Sequence, residues 1–227
     1  AADWREVIEV VERDLGRDAW PTWVLSNHDS SRHRTRLGGS EAVARAAAVL
    51  LLTLRGTPFL FQGEELGLED AVVPPDRRVD PAGRDGCRAP IPWTGAPAHG
   101  WATPETWLPW PPHAASRNVE DERADPGSIL HLYRRLLAVR RASPALRRGD
   151  VTLLDAPESV LAYRRSTHGD ERIVLVNFGD TGVDVPLDGR WEVVVSSDAA
   201  LDRWDGALRA GEAVILQTSA AQGGSAS

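Results

Sequence analysis

Two short apolar runs, each opening directly into a polar cluster, constrain this chain most. The first is Trp23-Val24-Leu25, followed by Asn27, His28, Asp29, Arg32, His33 and Arg34. The second is Phe59-Leu60-Phe61, followed by Gln62, Gly63, Glu64 and Glu65. Runs this short suit buried strands rather than helices. A helical pattern precedes each. Over residues 3–15, Trp4, Val7, Ile8, Val11 and Leu15 share one face, with Asp3 as N-cap, Glu6 three residues on and Gly16 as stop. Over residues 40–55, Val43, Ala46, Ala47, Leu50, Leu51 and Leu54 form an apolar stripe between an N-cap at Ser40 and a stop at Gly56. Helix, strand, helix, strand predicts consecutive parallel units of an α/β fold. Such folds bind ligands beyond the carboxyl ends of their strands, where both runs turn polar.

The pattern then changes. Residues 69–127 carry many prolines and Trp93, Trp101, Trp107 and Trp110, with little periodicity. A stretch that long without regular structure is either functional or disordered, and its tryptophans argue against disorder. "GSILHLYRRLLAVRRASPAL" predicts a helix with Ile129, Leu132, Tyr133, Leu136 and Leu137 inward, ending before Pro144. After Gly149, short β-like runs follow: "VTLLD", "VLAYRRS", "RIVLVNF", "VDVPL", "WEVVVSS" and "AVILQT". His168-Gly169-Asp170 and an Asp188-Gly189 hairpin signal punctuate them, giving a small antiparallel β domain. The expected division is 1–148, 149–219 and a floppy tail over 220–227.

Composition bounds the partners. The 227 residues, 42% of them hydrophobic, can bury a sizeable core. A net charge of -7 argues against nucleic acid. All 26 basic residues are arginine, the mark of a GC-rich coding bias rather than of chemistry. No apolar run approaches the roughly 20 residues of a membrane span, and no signal peptide opens the chain. The single cysteine, Cys87, excludes an internal disulfide and favours a reducing, cytoplasmic setting. Methionine is absent, so Ala1 is not an ordinary first codon, and the chain reads as processed or as a piece of a longer one.

The cluster from Asn27 to Arg34 admits several readings. A solvated loop with a helix cap is the plainest. His28, Asp29 and His33 are metal-ligand types, but no further Cys/His cluster supplements them, and Arg32, Arg34 and Arg36 would repel a cation. His99, His113, His131 and His168 lie in unrelated segments and are read as surface residues. Carboxylate chemistry on an uncharged substrate remains: an Asp held ionised by a neighbouring Arg stabilises developing positive charge.

"SNHDSSR", "FLFQGEELGL", "GRDGCRAPIPW" and "SILHLYRRLLAVRRASPAL", in this order, resemble the α-amylase superfamily of glycoside hydrolases, and within it the α-glucosidase/oligo-1,6-glucosidase group. The resemblance implies the C-terminal part of a (β/α)8 TIM barrel followed by a small antiparallel β-sandwich. Residues 23–27 and 57–61 would be the seventh and eighth strands, and residues 3–15, 40–55 and 128–142 the sixth to eighth helices. Strands one to six would then precede this chain as the rest of its barrel.

The resemblance also implies roles. The family cleaves α-glucosidic bonds with retention, through a nucleophilic carboxylate, a carboxylic acid/base and an oxocarbenium-like transition state. Asp29 matches the third carboxylate, which stabilises that state, and His28 the histidine that binds hydroxyls of the same glucose. Arg84 and Arg88 match two arginines that reach the substrate near the scissile bond, with an Arg84–Asp85 loop ion pair as the alternative. Arg32 is open between ligand contact and structural pairing. Glu64 and Glu65 match a structural anchor, the loop tryptophans stay unassigned, and Cys87 is a small buried hydrophobe. No cofactor is expected for these residues, and the need for calcium stays open, because the calcium loop of some relatives would lie in the earlier half.

Ser30-Ser31 stands where the family often has Gln-Pro, and Ala89-Pro90-Ile91-Pro92-Trp93 where it often has Thr-Pro-Met-Gln-Trp. Both departures touch linkage preference rather than class. The expected activity is therefore release of glucose from α-linked oligosaccharides, with nucleophile and acid/base lying outside this chain. A glucosyl-transferring or isomerising relative is a close variant. A stand-alone sugar-binding or interaction module is the other class, opposed by the open sheet edges it would leave.

Overall fold

A computed structural model describes residues 1–16, 19–198, 201 and 203–219. The tail expected over 220–227 lies outside them. Helix α1 (Ala2–Leu15) leads to strand β1 (Thr22–Val24), a short helix α2 (His33–Arg36), helix α3 (Glu41–Thr53) and strand β2 (Thr57–Phe59). β1 and β2 pair in parallel, Trp23 opposite Pro58, with α3 as the crossover. Each strand begins before its apolar run and ends inside it, β1 at Val24 and β2 at Phe59. Val24, Phe59 and Leu60 are also exposed, because only one side of this two-stranded sheet is covered by α3.

Helix α3 shows how the layers meet. Ser40 caps it by accepting from the Val43 N–H, as its sequence predicts. Leu51 and Ala47 pack with Leu25 beside the parallel pair. Leu50, Leu52 and Val49 pack the other way, into the main core. Burial therefore extends around the whole helix rather than along one stripe, and alanines make that close packing possible. Leu50, Leu51 and Leu52, at most 1% exposed, each contribute roughly 2 kcal/mol by burial.

Helix α1 departs from expectation. It begins at Ala2, so Asp3 lies inside the first turn and does not cap it. Of its apolar face only Ile8 is buried, and Val7 and Leu15 stand exposed.

Helices α4 (Val119–Ala124), α5 (Ile129–Ala142) and α6 (Pro144–Arg148) follow. α6 starts where the helical pattern was expected to stop, since Ser143 caps a new helix with Pro144 in its first turn. The long irregular segment before α4 holds two 3-10 turns, Pro75–Arg77 and Arg84–Arg88.

The remaining strands are β3 (Asp150–Leu154), β4 (Val160–Thr167), β5 (Asp170–Asn177), β6 (Val183–Asp184), β7 (Trp191–Ser196), β8 (Ala207–Leu208) and β9 (Ala213–Thr218). Five form an antiparallel sheet, β3-β4-β5-β9-β7, and β6 pairs with β8 as a ribbon. Alternation along the strands explains the two layers. Leu161, Tyr163, Val174, Val176 and Ile215 face the helices, whereas Val160, Ala162, Ile173, Leu175 and Leu216 pack with Val185 and Leu208 of the ribbon region. His168-Gly169 does form the two-residue turn between β4 and β5. Asp188-Gly189 does not make a hairpin, because β6 finds its partner in β8 and β7 in β9.

Arginines tie the sheet and α5 to α3. Arg165, fully buried, donates to the carbonyls of Thr53 and Gly149, and Arg140 to those of Leu52 and Gly56. Burial lowers the Arg165 pKa to about 10, so it stays charged at the carbonyl-rich end of the helix. Among the described residues no helix is long and apolar enough to cross a membrane.

Candidate active site

Beyond β1 the chain turns tightly. Asn27 bridges Ser30, and the Asn27 side-chain oxygen accepts from the Asp29 N–H at 2.8 Å. This turn leaves the Asp29 side chain 53% exposed and that of His28 71% exposed, at the carboxyl end of the strand. His28 Nε2 lies 3.5 Å from Asp29 Oδ2.

The other carboxylate oxygen is claimed from the long loop. Arg84 Nη1 donates to Asp29 Oδ1 at 2.8 Å, and Arg88 Nη2 reaches the same atom at 3.3 Å. Arg88 Nε also donates to the His28 carbonyl at 2.8 Å. Four of the five candidate residues, His28, Asp29, Arg84 and Arg88, thus converge. Cys87, buried as expected, sits among them with its thiol directed at the Arg84 carbonyl, 3.1 Å away.

Arg32 is the exception. It is only 2% exposed, donates through Nη1 to the Gln62 carbonyl at 2.9 Å, and lies 4.9 Å over the Phe61 ring. Its guanidinium lies between the two strand ends, an arrangement that favours structural pairing. Gly63 makes room for it: its φ of 85° suits glycine, and a Cβ there would stand 2.7 Å from Leu68 Cδ1 and 3.1 Å from Arg32 Nη1.

Arg84 does not pair with Asp85. Its fork grips Asp80 instead, Nε to Oδ2 at 2.8 Å and Nη2 to Oδ1 at 2.6 Å. The Arg84 N–H donates to Asp80 Oδ2 as well, at 2.7 Å. These bonds hold the Asp80 carboxyl well below the usual range and raise the Arg84 pKa. Asp85 is buried and accepts backbone N–H groups of Val79 and Asp80.

A buried polar layer lies behind the site. Glu64, 1% exposed, accepts from the Phe61 N–H and from the Tyr133 hydroxyl, each at 3.2 Å. Burial pushes its pKa up to about 7. His33, equally enclosed, lies 3.0 Å from Ser26 Oγ and 3.8 Å from Glu64, and burial lowers its pKa to about 4. Desolvation drives both toward neutral forms, so their contact is not an ion pair. Asp70 completes the frame by accepting from Ser31 Oγ and the Arg32 N–H. His99, expected at the surface, is buried edge-on to Trp110.

Sequence reading missed Asp80 and Asp70, and it placed Tyr133 inward without its hydrogen bond to Glu64. Asp80 had a signal: Asp80-Pro81-Ala82-Gly83 carries the residues a type I turn prefers, and the Gly83 N–H bonds to the Asp80 carbonyl at 3.0 Å. Among the described residues no group of three His, Cys, Asp or Glu side chains is set to hold a metal ion.

The family model of the alpha-amylase catalytic domain matches residues 1–149, and one for a domain of unknown function, DUF3459, matches residues 146–221. A probable alpha-glucosidase of Rhizobium meliloti is 39% identical over 193 residues, 78% of this chain and 35% of that protein. A glucan 1,6-alpha-glucosidase of Streptococcus pneumoniae is 30% identical over 231 residues, 88% of this chain and 43% of that protein. The solved trehalulose synthase MutB of Pseudomonas mesoacidophila superposes with a TM-score of 0.84 at 29% identity, covering 95% of this chain and 46% of that one. The chain thus spans less than half the length of these relatives. β1, α3 and β2 are the closing units of a TIM barrel, followed by the antiparallel β domain. By the match over residues 1–149 and the motifs that converge at Asp29, the chain belongs to the alpha-amylase family of glycoside hydrolases.

Proposed function

We propose that the protein containing this chain releases glucose from short α-linked oligosaccharides of the maltose or isomaltose type by a retaining mechanism. The observation that carries this reading is the Asp29 carboxylate itself. It is half exposed at the strand end, anchored through one oxygen by two arginines, with His28 Nε2 3.5 Å from the other oxygen. A carboxylate held so costs little reorganisation when positive charge develops on a sugar ring. His28 then binds hydroxyls of that glucose, while Arg84 and Arg88 reach the substrate near the scissile bond. Nucleophile and acid/base come from earlier strands of the barrel, so this segment supplies one wall of the site.

The test is glucose release from maltose and isomaltose by the protein with its complete barrel. Asp29→Asn should lower kcat by about 10²- to 10³-fold, the scale of losing one preorganised electrostatic group. Turnover within a few-fold of the parent would remove Asp29 from this role.

The likeness to a trehalulose synthase favours a second reading, in which the glucosyl unit is transferred rather than passed to water. Sucrose as substrate separates the two. Free glucose and fructose support hydrolysis, and an isomeric disaccharide supports transfer.

A further inference from the structure

We propose that Asp80 is a positioning residue, which aims Arg84 at Asp29 and so fixes the direction of the Asp29 carboxylate. This rests on the reading of Asp29 as the charge stabiliser. A guanidinium has five N–H donors in one plane, and its direction is set once two donors of one edge are bound. Asp80 takes Nε and Nη2 of Arg84, which leaves Nη1 as the end presented to Asp29 Oδ1 at 2.8 Å. The clamp is local and rigid. Asp80 and Arg84 lie on either side of the Asp80–Gly83 turn, and the Arg84 N–H returns to the same carboxylate. Asp80 is in turn held by its own N–H, which donates to the buried Asp85 at 3.1 Å. Its side chain is 7% exposed, against 53% for Asp29, so it lies behind the arginine rather than on the open face.

Asp80→Asn separates this role from mere loop stability. The amide oxygen still accepts from the Arg84 backbone and keeps the turn, but an amide has one acceptor oxygen where the carboxylate offers two to the fork. In the enzyme with its complete barrel, Asp80→Asn should lower kcat/KM for maltose or isomaltose about tenfold, mostly through kcat. In an Arg84→Ala background the same change should cost less than about twofold, because its effect passes through Arg84. Equal losses in both backgrounds would overturn the proposal. A crystal structure of Asp80→Asn gives a readout independent of activity: Arg84 Nη1 should leave hydrogen-bond reach of Asp29, and an unchanged contact overturns the proposal too. If the parent enzyme cleaves no α-glucoside, the functional reading fails, while the crystal structure still decides the part played by Asp80.

Discussion

Arg84 Nη1 donates to Asp29 Oδ1 at 2.8 Å, joining the turn after β1 to a loop that follows it by 55 positions. Charge alone does not account for the contact, since the same guanidinium also forks onto Asp80. Lysine keeps the charge but offers a single point of donation. Arg84→Lys in the full-barrel enzyme is therefore expected to lower kcat/KM about tenfold, with the fold intact by circular dichroism. Kinetics within twofold of the parent would show that charge suffices.

Glu64 and His33 make stability depend on pH in opposite directions. Glu64, with a pKa of about 7 against an ordinary 4.5, binds its proton more tightly when folded. Its contribution is therefore lost as pH rises from about 4.5 to about 7. His33, at about 4 against 6.5, resists protonation when folded, so its contribution is lost as pH falls from about 6.5 to about 4. Over the shared window the two slopes offset. Glu64→Gln removes only the first, and relative to the parent the variant should gain on the order of 3 kcal/mol as pH rises across that window. Denaturant titrations of both proteins at several pH values measure this difference. A difference that does not vary with pH would show that Glu64 ionises as it does in water.

Legibility in the sequence followed the range of the interactions. Ser40 announces its helix because a cap bonds three residues ahead, and the His168-Gly169 turn is equally local. The convergence of His28, Asp29, Arg84 and Arg88 was readable only through resemblance, since nothing near Asp29 in sequence points to residue 84. Arg32 stayed ambiguous because its surroundings, Phe61 and the Gln62 carbonyl, belong to the second strand. The Asp188-Gly189 signal failed for a similar reason: a turn dipeptide bends the chain, but β9 and β8 decide which strands pair. The apolar run at Phe59 and Leu60 foretold a strand and not its exposure, which depends on what covers the sheet.

Two adjacent arginines on β4 should behave in opposite ways. Arg165 is fully buried and serves the carbonyls of Thr53 and Gly149. Arg164, 44% exposed at its side chain, pairs with Glu171 at 3.4 Å on the surface. Arg165→Ala leaves two buried acceptors unpartnered and should cost about 2–5 kcal/mol, whereas Arg164→Ala should stay within about 1 kcal/mol. Thermal melts of the two variants compare them directly. Equal shifts would mean that water reaches the carbonyls Arg165 now serves.

Gly56 separates stability from chemistry. It opens β2 with a φ of 137°, and a Cβ there would stand 2.7 Å from the Pro21 carbonyl oxygen and 2.8 Å from the Trp23 ring. Neither neighbour can yield easily. Thr57 N–H donates to that same Pro21 carbonyl at 2.9 Å, and the Trp23 indole donates to the Arg55 carbonyl at 2.7 Å. Gly56→Ala must therefore spread the parallel pair at its amino end and strain the backbone as well, at a cost of about 2 kcal/mol or more. The opposite end of the pair carries Asp29, so enzyme that remains folded should keep its kcat. A melting temperature that falls by several degrees with kcat unchanged is the expected result. A loss of kcat in fully folded protein would instead mean that spacing at the strand starts is transmitted to the site.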